Sequence, residues 1–300
     1  MANYQTIVRL RPEVRDFIRN RRWVQRGEAV VYGPNTRCDS FSTDAAGFRH
    51  STFAGETLSV NDCLKRNRYG LVLGSSHLYG FGLAGNENTM PSLLAARFGF
   101  PFGNVCMPEA NSRNLHSLLL ALTRRAARRP AAVVLLTGGD FTSFCFTSLA
   151  DPIFGSPNLH QMDVVLKERG RGRPQNQIRS LLAFTTLWTR AIVALCRLQK
   201  IPVALGRDTT FFEKSEPSGL EVECELGLAS NRLQEQQFAT HKSFIPEFLD
   251  RRELLAASLG VPLAGPRLSN DLSFIDEFHY DRDGTRIFSE TVAKALESLL

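Results

Sequence analysis

Ser75, Ser76 and His77 follow an apolar run, Tyr69 to Leu73, that is broken by Gly74. Such a run reads as a buried parallel strand, and residues at a strand's carboxyl end are where open α/β sheets place reactive groups. A serine held on that turn is a candidate nucleophile, although Gly-Ser at a strand end also serves plain turn chemistry. Acyl transfer through a serine needs a base, a group that orients the base, and a site for the oxyanion. About two hundred residues downstream, Asp276 and His279 stand three apart in Asp-Glu-Phe-His, just ahead of a closing amphipathic segment. That spacing lets both face one cleft from a loop, His279 as base and Asp276 as its orienter. The competing reading of Asp276 to His279 is a capped helix start before Thr285.

The elements that must hold these residues alternate. Strands are expected at Gly70–Leu73, Gly103–Met107, Ala131–Leu136, Ile201–Leu205 and Val261–Ala264. Helices are expected at Ser92–Phe98, started by Thr89 and Pro91, and at Asn114–Arg129, Ile178–Gln199, Phe244–Leu259 and Thr285–Leu300. Leu115, Leu118, Leu119 and Leu122 share one apolar side of the second of these helices, which Pro130 is expected to stop. Strands alternating with helices imply a parallel sheet covered on both faces. Residues 1–68 read as an N-terminal arm packed on a main domain of residues 69–300, with a helix-like, Arg-rich opening over Pro12–Gln25. Two long interruptions, 141–174 and 207–241, read as loops that set substrate choice, because loops of that length in an α/β domain usually carry function.

The run Gly74-Ser75-Ser76-His77-Leu78-Tyr79-Gly80-Phe81-Gly82 resembles the first motif block of the SGNH (GDSL-type) hydrolases, in the form Gly-Asp-Ser-Phe-Thr-Phe-Gly. On that pattern Ser76 falls on the nucleophile, Ser75 replaces the aspartate, and Gly80 and Gly82 match the later glycines. Asp276-Glu277-Phe278-His279, followed by Gly284, resembles the family's last block, Asp-x-x-His. Gly47-Phe48-Arg49 resembles the end of an arm that precedes the first block in some members. The two middle blocks depart from the family: Glu109 stands where the second block has its glycine, and Gly139 stands where the third block has an asparagine.

The resemblance implies a three-layer α/β/α fold with a central parallel sheet of about five strands in flavodoxin-like order. It implies a Ser-His-Asp ester hydrolase in which Ser76 attacks an acyl carbonyl, His279 carries the proton and Asp276 holds the imidazole. The oxyanion site would be made by backbone N–H groups of Ser76 and Glu109 and by the Gly139 position. Asn111, Asn114, Thr137 and Thr142 are candidate replacements for the missing amide. His77 and Asn111 are expected on the substrate rim. The expected partner is a small-molecule or glycan ester, with no metal and no organic cofactor. Two other readings remain at this level: an acyltransferase that passes the acyl group to an alcohol or amine, and a binding protein without catalysis.

Composition narrows the class further. Of 300 residues, 43% are apolar and 22% charged, which is globular usage. No eighteen consecutive apolar residues occur, so no membrane span is expected, and the charged N-terminus lacks a secretory apolar core. The six cysteines are scattered without a Cys-x-x-Cys pair, which suits reduced thiols and a cytoplasmic location and disfavours zinc. The net charge of +6 is spread along the chain rather than set in a basic-and-aromatic motif, so no nucleic-acid role is expected. Arg124, Arg125, Arg128 and Arg129 read as one solvated face near the end of their helix. Asp140 reads as a structural hydrogen-bonding group and Cys106 as a small buried residue.

Overall fold

The structure, a computed structural model, describes residues 8–20, 22–26, 29–108, 110–137, 140, 174–207, 209, 214–221, 232–266, 270, 272–275 and 279–300. In the arm, helix α1 (Val14–Arg19) is followed by an antiparallel hairpin of β1 (Trp23–Arg26) and β2 (Ala29–Tyr32), and a second hairpin pairs β3 (Ser51–Phe53) with β4 (Glu56–Leu58). Helix α2 (Val60–Leu64) then leads into the main domain. The helix expected over Pro12–Gln25 is thus shorter: Asn20 ends it, and Trp23 and Val24 join β-branched and aromatic partners in a hairpin that suits them better.

In the main domain β5 (Gly70–Gly74), β6 (Phe102–Cys106), β7 (Ala132–Leu135), β8 (Val203–Gly206) and β9 (Leu263–Ala264) form one sheet. The order is β6-β5-β7-β8-β9, every pair is parallel, and this is the flavodoxin-like order expected. Among the described residues, helices α3 (Ser76–Tyr79), α4 (Met90–Phe98), α5 (Ser112–Arg125), α6 (Pro174–Leu198), α7 (Arg232–Leu259) and α8 (Arg282–Glu297) accompany it.

Strand alternation sorts the core into two layers. Val72, Val134 and Ala204 face α4 and α8, where Met90, Leu94, Phe288, Val292 and Leu296 are buried. Leu71, Leu73, Val133, Leu135, Val203 and Leu205 face α2, α5 and α6. The arm joins both layers: Phe17, Tyr32 and Phe41 pack on the first, and Val31, Phe48 and Leu58 on the second.

Two boundaries differ from expectation. α5 ends at Arg125, where Ala126 turns extended, so Arg128 and Arg129 lie beyond the helix. The Tyr69 hydroxyl donates to the Arg128 carbonyl at 2.7 Å, and Ala131 N–H to the Tyr69 carbonyl at 2.6 Å, which holds the 126–131 connection against β5 and leads it into β7, so the helix ends five residues before Pro130. α7 begins at Arg232, so the last ten residues of the expected 207–241 loop are helical. The 141–173 segment lies outside the described residues. Within α6, Leu181–Leu198 is long and apolar enough to cross a membrane by length and composition, with mean hydropathy 1.5. Its Leu181, Phe184, Ile192, Val193 and Cys196 are buried in the fold.

Candidate active site

Ser76 is the first residue of the one-turn helix α3, one residue beyond the carboxyl end of β5, with Ser75 between them. β6 and β7 flank β5 on opposite sides, so Ser76 stands at the topological switch point of the sheet, where such folds bind ligands. A one-turn helix replaces the expected loop at this position. Gly80 ends it in the left-handed region at φ 80°, and the chain turns again at Gly82 (φ 78°) and Gly85 (φ 82°).

His279 arrives from the opposite end of the chain on a tight hairpin. Ile275 N–H donates to the His279 carbonyl at 2.7 Å, Phe274 pairs with Tyr280, and Asp281 N–H donates to the Ser273 carbonyl at 3.1 Å. Asp281 also caps α8, accepting the Gly284 N–H at 3.0 Å. Arg11 of the arm fastens the hairpin from outside, donating to Asp281 Oδ2 at 3.1 Å and to the Phe274 carbonyl at 3.5 Å.

These elements bring Ser76 Oγ within 2.8 Å of His279 Nε2, across 203 residues of sequence. Both residues are half-buried, reachable from solvent yet held on their inner sides. The imidazole contacts two rings: Phe81 at 4.6 Å between centroids and His77 at 5.5 Å, the latter stacked at 29°. A neutral imidazole with Nε2 as acceptor can take the serine proton at this distance, which is the geometry general-base activation requires.

Ser75 and His77, the neighbours of Ser76, turn inward. Ser75 is buried, and its Oγ lies 2.7 Å from His77 Nδ1. His77 is itself 8% exposed. His77, expected on the substrate rim, is thus mostly buried, with its ring stacked against that of His279. The other rim candidate, Asn111, caps α5, accepting the Asn114 N–H at 2.9 Å while Asn114 Oδ1 accepts the Asn111 N–H at 3.4 Å. Asp276, Glu109, Gly139 and Thr142 lie outside the described residues.

Next to the third motif block a buried polar network forms. Thr137 Oγ1 accepts from Arg252 Nη1, and Arg252 Nη2 donates to the Gly206 carbonyl at 2.7 Å. Asp140 accepts the Ser112 N–H at 2.6 Å on one oxygen and the Thr185 hydroxyl at 2.8 Å on the other. Burial pushes its carboxyl up to about 6, against the pull of those hydrogen bonds and of Arg252. Asp140 joins α5 to α6, which is the hydrogen-bonding role the sequence suggests. Cys106 is buried, with its thiol pushed up by desolvation, and so is a core residue and no nucleophile. Among the described residues no cluster of three or more His, Cys, Asp or Glu is placed to hold a metal.

Sequence reasoning did not single out Phe81 or Arg11, and it marked Arg49 only as part of the Gly47-Phe48-Arg49 run, without a role. Only its glycine-flanked position marked Phe81, because the contacts of all three are made across the fold.

No family model and no curated protein matches this chain. Solved structures similar to it include a carbohydrate acetylesterase family member from Sinorhizobium meliloti, at 12% identity and TM-score 0.49, covering 78% of this chain and 99% of that one. They also include a GDSL-like lipase from Bacteroides thetaiotaomicron, at 13% identity and TM-score 0.43, covering 78% and 89%. A third is a member of the lipolytic G-D-S-L family from Veillonella parvula, at 12% identity and TM-score 0.43, covering 76% and 97%. GDSL names thus recur among them, the family whose motif blocks this sequence resembles. At such identities and TM-scores none of them assigns an activity to this chain.

Proposed function

We propose that this chain is a serine-dependent ester hydrolase of the SGNH type. The observation that carries the reading is the Ser76 Oγ–His279 Nε2 contact of 2.8 Å at the switch point of a flavodoxin-like sheet. In the proposed reaction Ser76 Oγ bonds to the acyl carbon as His279 Nε2 takes its proton. The tetrahedral oxyanion is held by backbone N–H groups, Ser76 and Glu109 being the proposed donors. Its collapse breaks the ester C–O bond, and the imidazolium protonates the departing alkoxide. Water, deprotonated by the same imidazole, then attacks the acyl-serine and releases the acid, returning the proton to Ser76. Asp276 is the proposed orienter of His279, and contact with the rings of Phe81 and His77 limits the tilt of the imidazole.

Hydrolysis of p-nitrophenyl acetate and butyrate tests the reading. The wild type is expected to turn over at least one of them, and Ser76→Ala to lose about 10³-fold or more in kcat. Equal rates in both proteins would reject it. An added alcohol acceptor that diverts the acyl group from water would identify a transferase.

A further inference from the structure

We propose that Arg49, carried on the N-terminal arm, is a positioning residue for the Ser76–His279 pair and acts through the ring of Phe81. The proposal rests on the ester-hydrolase reading above.

Arg49 is 1% exposed, and its guanidinium is directed into the loop that follows Ser76. It donates to the carbonyls of Gly80 at 2.5 Å, Leu83 at 2.8 Å and Gly85 at 2.9 Å, and more weakly to that of Tyr79 at 3.5 Å. It also donates to the Ser40 carbonyl at 3.2 Å and to Asn86 Oδ1 at 3.1 Å. These acceptors are carbonyl dipoles and an amide oxygen, not a carboxylate partner. The charge is further faced by the rings of Phe17, Phe41 and Tyr79, 5.3, 5.8 and 6.0 Å from the guanidinium carbon. Burial brings the guanidinium down to about 10, so it stays protonated at neutral pH.

The glycine turns explain why such a donor is required. The loop folds on itself at Gly80, Gly82 and Gly85, and its carbonyls converge inward, away from water. Buried carbonyls without donors are costly, and a planar group with five N–H bonds is the side chain able to serve several at once. Phe81 sits between two of these anchored carbonyls. Its ring contacts His279 on one side and Phe17 of the arm, at 5.4 Å, on another. Val14 of the arm and Ile275 of the His279 hairpin form a small buried cluster against which Phe81 packs. Arg49 therefore fixes the loop, the loop fixes Phe81, and Phe81 limits the tilt of the imidazole whose Nε2 must meet Ser76.

A buried arginine that serves stability alone would give a different result from one that positions the pair. The test compares Arg49→Lys, Phe81→Leu, their double variant and Leu119→Ala with the wild type. Leu119 lies in the core on the other face of the sheet and controls for destabilisation. The readouts are the thermal midpoint, the rate of Ser76 labelling by a fluorophosphonate well below that midpoint, and the ring ¹H–¹⁵N signals of His279. Arg49→Lys and Phe81→Leu are expected to slow labelling about tenfold or more while folded, and to move the His279 ring signals. The double variant should label no more slowly than the slower single, since both act through one ring. Leu119→Ala should lower the midpoint but keep the wild-type labelling rate and ring signals. Wild-type labelling rates and ring signals in folded Arg49→Lys, or in folded Phe81→Leu, overturn the proposal. A wild type that is never labelled at Ser76 refutes the ester-hydrolase reading itself, and this inference falls with it.

Discussion

Asp140→Asn is expected to stabilise the protein at pH 8, and by an amount that depends on pH. The native carboxyl keeps its proton to about pH 6 because it is fully buried, whereas the unfolded one releases it near 3.8. Between those values the native state binds the extra proton, so the contribution to stability is full below about pH 4 and is lost as pH rises through about 6. The difference between 3.8 and about 6 corresponds to about 3 kcal/mol at pH 8. Asparagine reproduces the protonated form: Oδ1 still accepts from the Ser112 N–H, and the amide donates to Thr185 Oγ1, where the hydroxyl now accepts. Unfolding of both proteins by urea, followed by fluorescence from pH 4 to pH 8, should show curves that nearly meet at pH 4. They should diverge by about 2–3 kcal/mol at pH 8, with the variant more stable. Parallel curves, or a variant least stable at high pH, would refute the reasoning and show that Arg252 holds Asp140 ionised in the native state.

Gly82→Ala should cost about 1–3 kcal/mol, because φ is 78° and the added Cβ would stand 2.5 Å from Ile275 Cδ1; thermal unfolding measures it. Lys214 and Glu221 form a buried ion pair at 2.8 Å, tied to the His279 hairpin through the Leu272 carbonyl and the Phe274 N–H. Burial pushes the Glu221 carboxyl up, but hydrogen bonds from Lys214, Ser218 and Phe274 outweigh it and leave it below its usual range. Lys214→Ala strands that carboxylate and should cost about 3–5 kcal/mol in urea unfolding, with Lys214→Met/Glu221→Gln losing less. Ser75→Ala removes the hydroxyl from His77 Nδ1 and should cost about 1–3 kcal/mol by the same measurement. It should still accept the fluorophosphonate at Ser76, which separates the two adjacent serines.

The alternation of strands and helices was legible in local signals, whereas the sheet order came from the resemblance of the motif blocks, whose fixed order along the chain also pointed to the Ser76–His279 encounter. Short apolar runs set the strands, three of the five ending at a glycine, and a serine after the first strand and a histidine before the last helix share one edge of the sheet. What was not legible depends on contacts between distant segments. α5 reads as a helix to Arg129 by its own residues, and the Tyr69 hydroxyl, some sixty positions earlier, helps end it at Arg125. His77 is expected on the rim because the family pattern has a non-catalytic position there, and the sequence shows neither its burial nor the 2.7 Å contact of its Nδ1 with Ser75 Oγ. Arg49 carries no sign in the sequence of the carbonyls it serves, since they converge only after three glycines have turned the loop.

Fluorophosphonate treatment of the purified protein, followed by peptide mass spectrometry, tests the central claim most directly. The account predicts one adduct on Ser76 in the wild type, none at that position in Ser76→Ala, and labelling strongly slowed in His279→Ala. An unlabelled Ser76 in the folded wild type, or equal labelling in His279→Ala, would contradict it, since the 2.8 Å contact would then not be an activated pair.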